Sequence, residues 1–298
     1  MPVTVSSCPG RRTRRFGIST HSGPPPGESP SILAKAFDLL RAFDATNRVM
    51  TLTELSRAAD LPKSTVHRLL ARLVELDVIE HIEEGYRVSL SMARLASLSP
   101  ANLMRDLALP HMAGLHHWSG HTITLGVLRD FDTVILEQVG STAWHPQPYQ
   151  IGARIPAHTS VLGKALLAWD PRDALETLLP NPLPALTPAT ITDRDVLMAQ
   201  LREIRSTNLA HQLDETLEGI AGIGCAIIIK GEAVGALGIV HPSSTPLPAQ
   251  APQALRNTAA RLSTEITQRL TAIGQERRWM PGREVAGPLD PADQHDLT

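Results

Sequence analysis

Apolar positions recur along this chain with two different periods, and the order in which the periods alternate outlines its architecture. Leu33, Ala36, Phe37 and Leu40 fall on one helical stripe able to face a core. Thr51 followed three residues later by Glu54 is a capping box, so a second helix begins near Leu52. After the tight Leu61-Pro62 turn a third helix opens with Pro62 at its first position, and Val66, Leu69, Leu70 and Leu73 form its apolar stripe. The period then drops to two. Val78 to Ile82 and Tyr86 to Leu90 read as strands, with Tyr86, Val88 and Leu90 alternating against Arg87 and Ser89, separated by a Glu83-Glu84-Gly85 turn. Three helices followed by a hairpin over residues 30–90 is the order of a winged helix-turn-helix.

The remainder reads as a second domain. Ser91 to Asn102 connects the two, with a linker helix expected over 91–104, and Leu103 to Ser119 continues as a helix ending at Gly120. Thr122 to Arg129 and Thr133 to Val139 are strand-like around an Arg129-Asp130-Phe131-Asp132 turn. Thr159 to Trp169, Arg172 to Leu179 and Asp193 to Ser206 read as helices, with a Pro-rich loop from Pro180 to Pro188. Ile223 to Lys230 and Ala233 to His241 form a second strand pair about Gly231-Glu232. A terminal helix carries Leu255, Ala259, Leu262, Ile266 and Ile273 on one side. Strands in hairpins interleaved with helices predict an α+β domain over 105–272 with a mainly antiparallel sheet.

The third helix of the first domain carries the chemistry. Opposite its apolar stripe lie Ser64, Arg68 and Ala71, flanked by Thr65, His67 and Arg72, with Lys63 at the N-terminal end and no carboxylate between Lys63 and Arg72. Lys63, Ser64, Thr65, His67, Arg68 and Arg72 thus offer hydrogen-bond donors to a groove walled by phosphate, while the apolar back anchors the helix. An ordinary amphipathic helix with a solvated basic face has the same local pattern; the helices before it and the hairpin after it favour the recognition helix. Glu83 and Glu84 put negative charge at the wing tip, which assigns the wing a weak role on DNA.

Composition narrows the rest. A chain of 298 residues accommodates about two domains, and a formal net charge of −2 makes it no general polyanion binder, so DNA affinity must come from a local patch. Two cysteines, Cys8 and Cys225, cannot form a disulfide framework, which points to a reducing, cytoplasmic setting. No apolar run reaches the roughly 20 residues of a membrane span. Arg11-Arg12-Thr13-Arg14-Arg15-Phe16-Gly17 has the outline of a twin-arginine export signal, but no hydrophobic segment follows it. Residues 1–29 therefore read as a disordered basic, Pro-rich tail, or alternatively as a basic arm on phosphate. Residues 273–298, polar and aperiodic, read as a disordered tail.

With the winged helix in place, the segments IPAHTSVLGKALLAW (Ile155 to Trp169) and DETLEGIAGIGCAI (Asp214 to Ile227) resemble those of IclR-type transcriptional regulators, and the resemblance covers about residues 31–272. It implies an N-terminal DNA-binding domain, a linker helix and a C-terminal effector-binding domain whose sheet is of the GAF or profilin type. It also implies a homodimer or tetramer acting on a pseudo-palindromic operator of a catabolic operon in response to a small organic acid or aromatic metabolite. By the same resemblance Val161, Leu162, Gly163, Gln212, Ile220 and Gly222 line the effector cavity. Ser160, before the helix that starts at Val161, adds a hydroxyl suited to a carboxylate, and equally suited to a plain N-cap. Val161-Leu162 is bulkier than the Gly-Ala pair of the isocitrate-lyase regulators, and Gln212 and Gly222 replace their acidic or polar and cysteine positions. An acid with an apolar body is therefore expected rather than glyoxylate or pyruvate.

Catalytic readings fare worse. Gly163-Lys164 fails as a phosphate loop because His158 stands where glycine is required and Ala165 where a hydroxyl is. His117 and His121 are four apart, but Gly120 ends the helix between them and no carboxylate or cysteine lies near, so no metal or cofactor is expected. Asp214 and Glu215, read as neighbours in a strand, point to opposite faces. No nucleophile-elbow pattern is present, and Cys225 in its apolar run reads as an inert buried thiol. No catalytic residue is expected. The alternative to a regulator is a metabolic enzyme or small-molecule sensor whose helix-turn-helix serves only oligomerisation.

Overall fold

The computed structural model describes residues 31–44, 47–140, 150–170, 175 and 179–272. The expected helix from Arg172 to Leu179, both tails, Cys8 and Ile273 lie outside the described residues in whole or in large part.

The N-terminal unit consists of α1 (Ile32–Arg41), α2 (Leu52–Ala58), α3 (Lys63–Glu75) and a hairpin of β1 (Ile79–Ile82) and β2 (Gly85–Val88). Thr51 and Glu54 form the complete capping box: the Thr51 hydroxyl accepts from Glu54 N–H at 3.3 Å, and the Glu54 carboxylate accepts from Thr51 N–H at 2.8 Å. Pro62 stands one residue earlier than expected, as the N-cap with extended backbone (ψ 139°), and Lys63 is the first helical residue. The strands also end inside the expected runs, with Glu83-Glu84 as the turn. Leu39, Leu55, Val66, Leu69, Leu70, Leu73 and Ile79 close the core.

The helical stripe expected on α1 is only half correct. Ala36 and Leu40 pack against the core, but Leu39 is the fully buried residue, and Leu33 and Phe37 are 70% and 57% exposed. Ile32, Leu33, Phe37, Leu39 and Leu40 leave α1 apolar on more than one side. Contact with α2 and α3, which periodicity does not report, selects the inward face.

The stretch 91–104 comprises two helices, α4 (Ser91–Ser97) and the start of α5 (Pro100–Ser119), which meet at Ser99. Gly120, left-handed at φ 71°, caps α5. The sheet follows: β3 (Thr122–Arg129), β4 (Asp132–Val139), β5 (Arg154–Pro156), β6 (Ala210–Leu213), β7 (Ile220–Ile229) and β8 (Glu232–Pro242) in the order β5-β4-β3-β8-β7-β6, every pairing antiparallel. The two short edge strands β5 and β6 carry too few alternations to be read from periodicity, and went unpredicted.

Each face of the sheet is covered. Ile123, Leu125, Ile223, Cys225, Ile227, Leu237 and Ile239 face α5 and the terminal helix α8 (Ala251–Ala272), whose Leu255, Ala259, Leu262 and Ile266 are buried as expected. Ile135, Ala226, Ala236 and Val240 face α6 (Val161–Leu167) and α7 (Arg194–Thr207). Because both faces are buried, β3 and β7 read as near-continuous apolar runs rather than alternating ones.

Candidate nucleic-acid interface and effector site

Along α3 the apolar stripe is buried throughout, and Lys63, Ser64, His67, Arg68 and Arg72 are exposed with Thr65 half-buried. All six predicted residues therefore belong to one solvent-facing surface on a helix whose back is fixed in a core. Arg72 is held by Glu75 one turn on, Nη1 to Oε2 at 2.5 Å, with both side chains well exposed. In the wing, Arg87 pairs across the strands with Glu80 at 2.6 Å, and Tyr86 stacks on His81 at 4.5 Å. These pairs fix the hairpin and engage Arg87 across its strands.

The seven predicted effector residues gather where α6 meets the sheet. A short 3-10 turn (Ala157–Thr159) turns the chain from β5 into α6, and a Cβ on Gly163 would lie 2.1 Å from Ala157 O, so only glycine permits this turn. Ser160 is wholly buried; its hydroxyl accepts from Gly163 N–H at 3.0 Å and lies 3.2 Å from Thr133 Oγ1. It is an N-cap. Val161 and Leu162 point onto the sheet, where Gly222, Gly224 and Gly238 make room: a Cβ on Gly224 would approach Val161 O to 2.6 Å. Gln212 and Gly222 are register partners on β6 and β7. Both ends of the Gln212 amide are engaged, Nε2 donating to Ile220 O at 3.2 Å and Oε1 accepting from Glu215 N–H at 3.0 Å. Ile220 itself is buried.

The residue that sequence reasoning missed is Lys164. Considered only as a phosphate-loop lysine, it is 0% exposed and points away from solvent into an acceptor cage. Its Nζ donates to Glu215 Oε1 at 2.7 Å, to Gln200 Oε1 at 3.1 Å and to His211 O at 3.3 Å, and lies 2.6 Å from Glu215 Oε2 as an ion pair, joining α6, α7, β6 and the loop after β6. Burial pulls the Lys164 ammonium below its ordinary pKa and pushes the Glu215 carboxyl above its own; each opposes the other's shift by attraction. A readable signal existed: one lysine inside the apolar run Val161 to Leu167 demands a counter-charge. Asp214 and Glu215 do part, but not because they share a strand. Both follow the end of β6, Asp214 at φ 59°, where its carboxylate accepts from Gly219 N–H at 2.8 Å.

His158 is buried beside this cluster and donates from Nε2 to Pro184 O at 2.9 Å; burial, then the Lys164 charge, lowers its pKa against the pull of that bond. Burial pushes the Cys225 thiol up to about 12, which removes it as a nucleophile. His121 lies 5.3 Å from His241 and gives its carbonyl to His116 Nδ1. Among the described residues no group of three or more His, Cys, Asp or Glu is placed to hold a metal ion, and no helix is long and apolar enough to cross a membrane.

Comparison with known proteins finds matches over both domains. Residues 32–83 match the IclR helix-turn-helix domain and residues 95–264 match the C-terminal domain of the bacterial transcriptional regulator IclR. The chain is 27% identical over 215 residues to the HTH-type transcriptional regulator TtgV of Pseudomonas putida, covering 72% of this chain and 82% of that protein. It is 31% identical over 212 residues to the glycerol operon regulatory protein of Streptomyces coelicolor, covering 70% and 83%. Among solved structures, an IclR homologue from Microbacterium hydrocarbonoxydans in complex with 4-hydroxybenzoate superposes with a TM-score of 0.70 at 27% identity, covering 80% of this chain and 100% of that one. Matches to both family models and to relatives across both domains, on a chain whose α3 presents an exposed donor face, place it in the IclR family of transcriptional regulators.

Proposed function

We propose that this regulator controls a catabolic operon by reading a pseudo-palindromic operator through α3 and releasing or engaging it when a small organic acid binds the C-terminal domain. The observation that carries the DNA half is the α3 surface, where Lys63, Ser64, Thr65, His67, Arg68 and Arg72 face outward while every residue of the apolar stripe is buried. Such a helix can enter a major groove without disturbing its core, with Arg68 and Arg72 available to phosphate or base edges.

For the effector half, Ser160, Val161, Leu162, Gly163, Gln212, Ile220 and Gly222 surround the site. Val161 and Leu162 supply an apolar wall, while Gly163 and Gly222 set the close approach of helix to sheet. That wall favours an acid with an apolar body, in keeping with the 4-hydroxybenzoate bound by the Microbacterium homologue. Ile32, Leu33 and Phe37 on α1, and Leu90, Leu95 and Leu98 around α4, are large exposed apolar residues, which supports a homodimer or tetramer. Two-fold pairing would set two recognition helices on half-sites about one helical turn of DNA, or a multiple, apart.

The test is binding to the DNA flanking the protein's own coding region, compared between wild type and Arg68→Ala/Arg72→Ala. Loss of at least tenfold in affinity with an unchanged melting temperature is expected. Equal affinity would remove α3 as the reading surface.

A further inference from the structure

Most polar groups around α6 are engaged inside the protein. Ser160 caps its helix, Thr133 reaches Ser160, Thr159 donates to Pro156 O, Thr216 donates to Thr159 O, both ends of Gln212 are bonded, and Lys164 is answered by Glu215. Four buried side-chain atoms have no hydrogen-bond partner among the described residues: Thr124 Oγ1, Gln138 Nε2, Trp169 Nε1, whose ring lies under the Arg205 guanidinium just past the end of α6, and Glu215 Oε2, which is 2.6 Å from the Lys164 ammonium. Thr124 is 0% exposed.

Of the four, Thr124 Oγ1 and Gln138 Nε2 belong to one place and have neither an aromatic–cation contact nor an ion-pair partner beside them among the described residues. Thr124 on β3 and Gln138 on β4 are direct register partners, so their side chains leave the same face of the sheet. That face is the one under α6. A Cβ on Gly238, the register partner of Thr124 on β8, would lie 3.0 Å from Thr124 Oγ1, 3.1 Å from Leu162 and 3.2 Å from Val161. The flanking Ile123 and Leu125 turn to the opposite core. Two orphaned polar atoms thus sit on opposed positions, with Thr124 beside the first turn of α6, while Thr133, Thr159 and Thr216 nearby are bonded.

A buried polar group left unpaired is costly, and in a native fold it calls for an explanation, a bound water, ion or ligand among them. Both orphans can donate: the amide nitrogen only donates, and the hydroxyl donates equally well. What completes them is therefore an acceptor. We propose that Thr124 Oγ1–H and Gln138 Nε2–H form a two-donor seat for the carboxylate oxygens of the effector, with its apolar body lying against Val161 and Leu162. The charge of the acid is then read by neutral donors, since Lys164, the buried cation of this face, is engaged by Glu215. The inference rests on the effector-binding reading of the second domain and adds to it the residues that determine specificity for an acid.

Calorimetric titration of the full chain with benzoate, 4-hydroxybenzoate and phenylacetate, and with methyl benzoate as the uncharged counterpart, tests it in wild type, Thr124→Val and Gln138→Leu. At least one acid should bind wild type and bind each variant roughly 10- to 100-fold more weakly, the loss expected for a hydrogen bond to a charged group. Thr124→Val keeps the β-branched shape and removes an unpaired hydroxyl, so its melting temperature should stay level or rise. Equal acid affinity in all three proteins, as a mere bridging water would give, overturns the proposal. So does methyl benzoate binding as tightly as the acids, or no acid binding wild type. Binding of flanking DNA by the same preparations distinguishes the two levels: if it persists, only the seat fails; if it is lost, the regulator reading fails with it.

Discussion

A lysine with no exposed surface destabilises a fold unless its charge is answered, and Lys164 is answered by two carboxylate oxygens, a side-chain amide and a backbone carbonyl. Removing one partner leaves the other as a buried uncompensated charge. Lys164→Ala should lose about 3–5 kcal/mol in chemical denaturation, while Lys164→Met combined with Glu215→Leu should recover much of it, because an apolar pair of similar volume avoids desolvating two ions. A double variant no more stable than the single would contradict that account. His158 supplies a pH dependence. Its pKa is lowered in the folded protein by burial, so the unfolded chain binds a proton more readily. Stability is thus present above the ordinary imidazole value of about 6.5 and lost as pH falls from there through the lowered folded value. Denaturation midpoints should drop on acidification through this window and flatten in His158→Gln. These buried polar partners were the least legible part of the sequence. Lys164 and Glu215 are 51 positions apart, and only the fold sets them 2.7 Å from one another.

At the scale of elements, legibility followed period length and burial. The α3 stripe, the Thr51 capping box, the Gly120 cap and the terminal helix all declare themselves locally and are found where expected. The edge strands β5 and β6 do not, since three or four residues carry almost no alternation. The inward face of α1 was ambiguous because the helix is apolar on several sides. Thr51→Ala should cost about 1 kcal/mol, the usual value of an N-cap hydroxyl, measured by thermal or chemical unfolding. On α3 the ion pair between Arg72 and Glu75 competes with phosphate for the guanidinium. Glu75→Ala should therefore tighten binding to random duplex DNA and steepen its salt dependence by up to about one counterion. Unchanged binding would mean that Arg72 does not reach the backbone.

At the scale of the whole molecule, two units must communicate if an acid is to alter DNA affinity. The chain between them is α4 and α5, and α5 is tied into the second domain by Arg105, whose Nε donates to the buried Glu137 carboxylate at 2.5 Å. Glu137 immediately precedes Gln138, so a ligand held at Gln138 acts one residue from the anchor of the connecting helix. Exposed Leu33 and Phe37 predict assembly: wild type should sediment above its monomer mass of 32.2 kDa, and Leu33→Glu/Phe37→Glu should shift it towards the monomer. A monomeric wild type would contradict the paired-operator reading. Linkage requires that an acid which binds one arrangement of the assembly better shift DNA affinity by that same differential free energy. The decisive measurement is fluorescence anisotropy of the labelled flanking DNA titrated with the full chain, with and without 4-hydroxybenzoate and the other acids. An acid-responsive regulator should show salt-sensitive, specific binding whose affinity changes at least fivefold with one acid. Specific binding that no acid alters, or no binding at low salt by the folded protein, would contradict that reading.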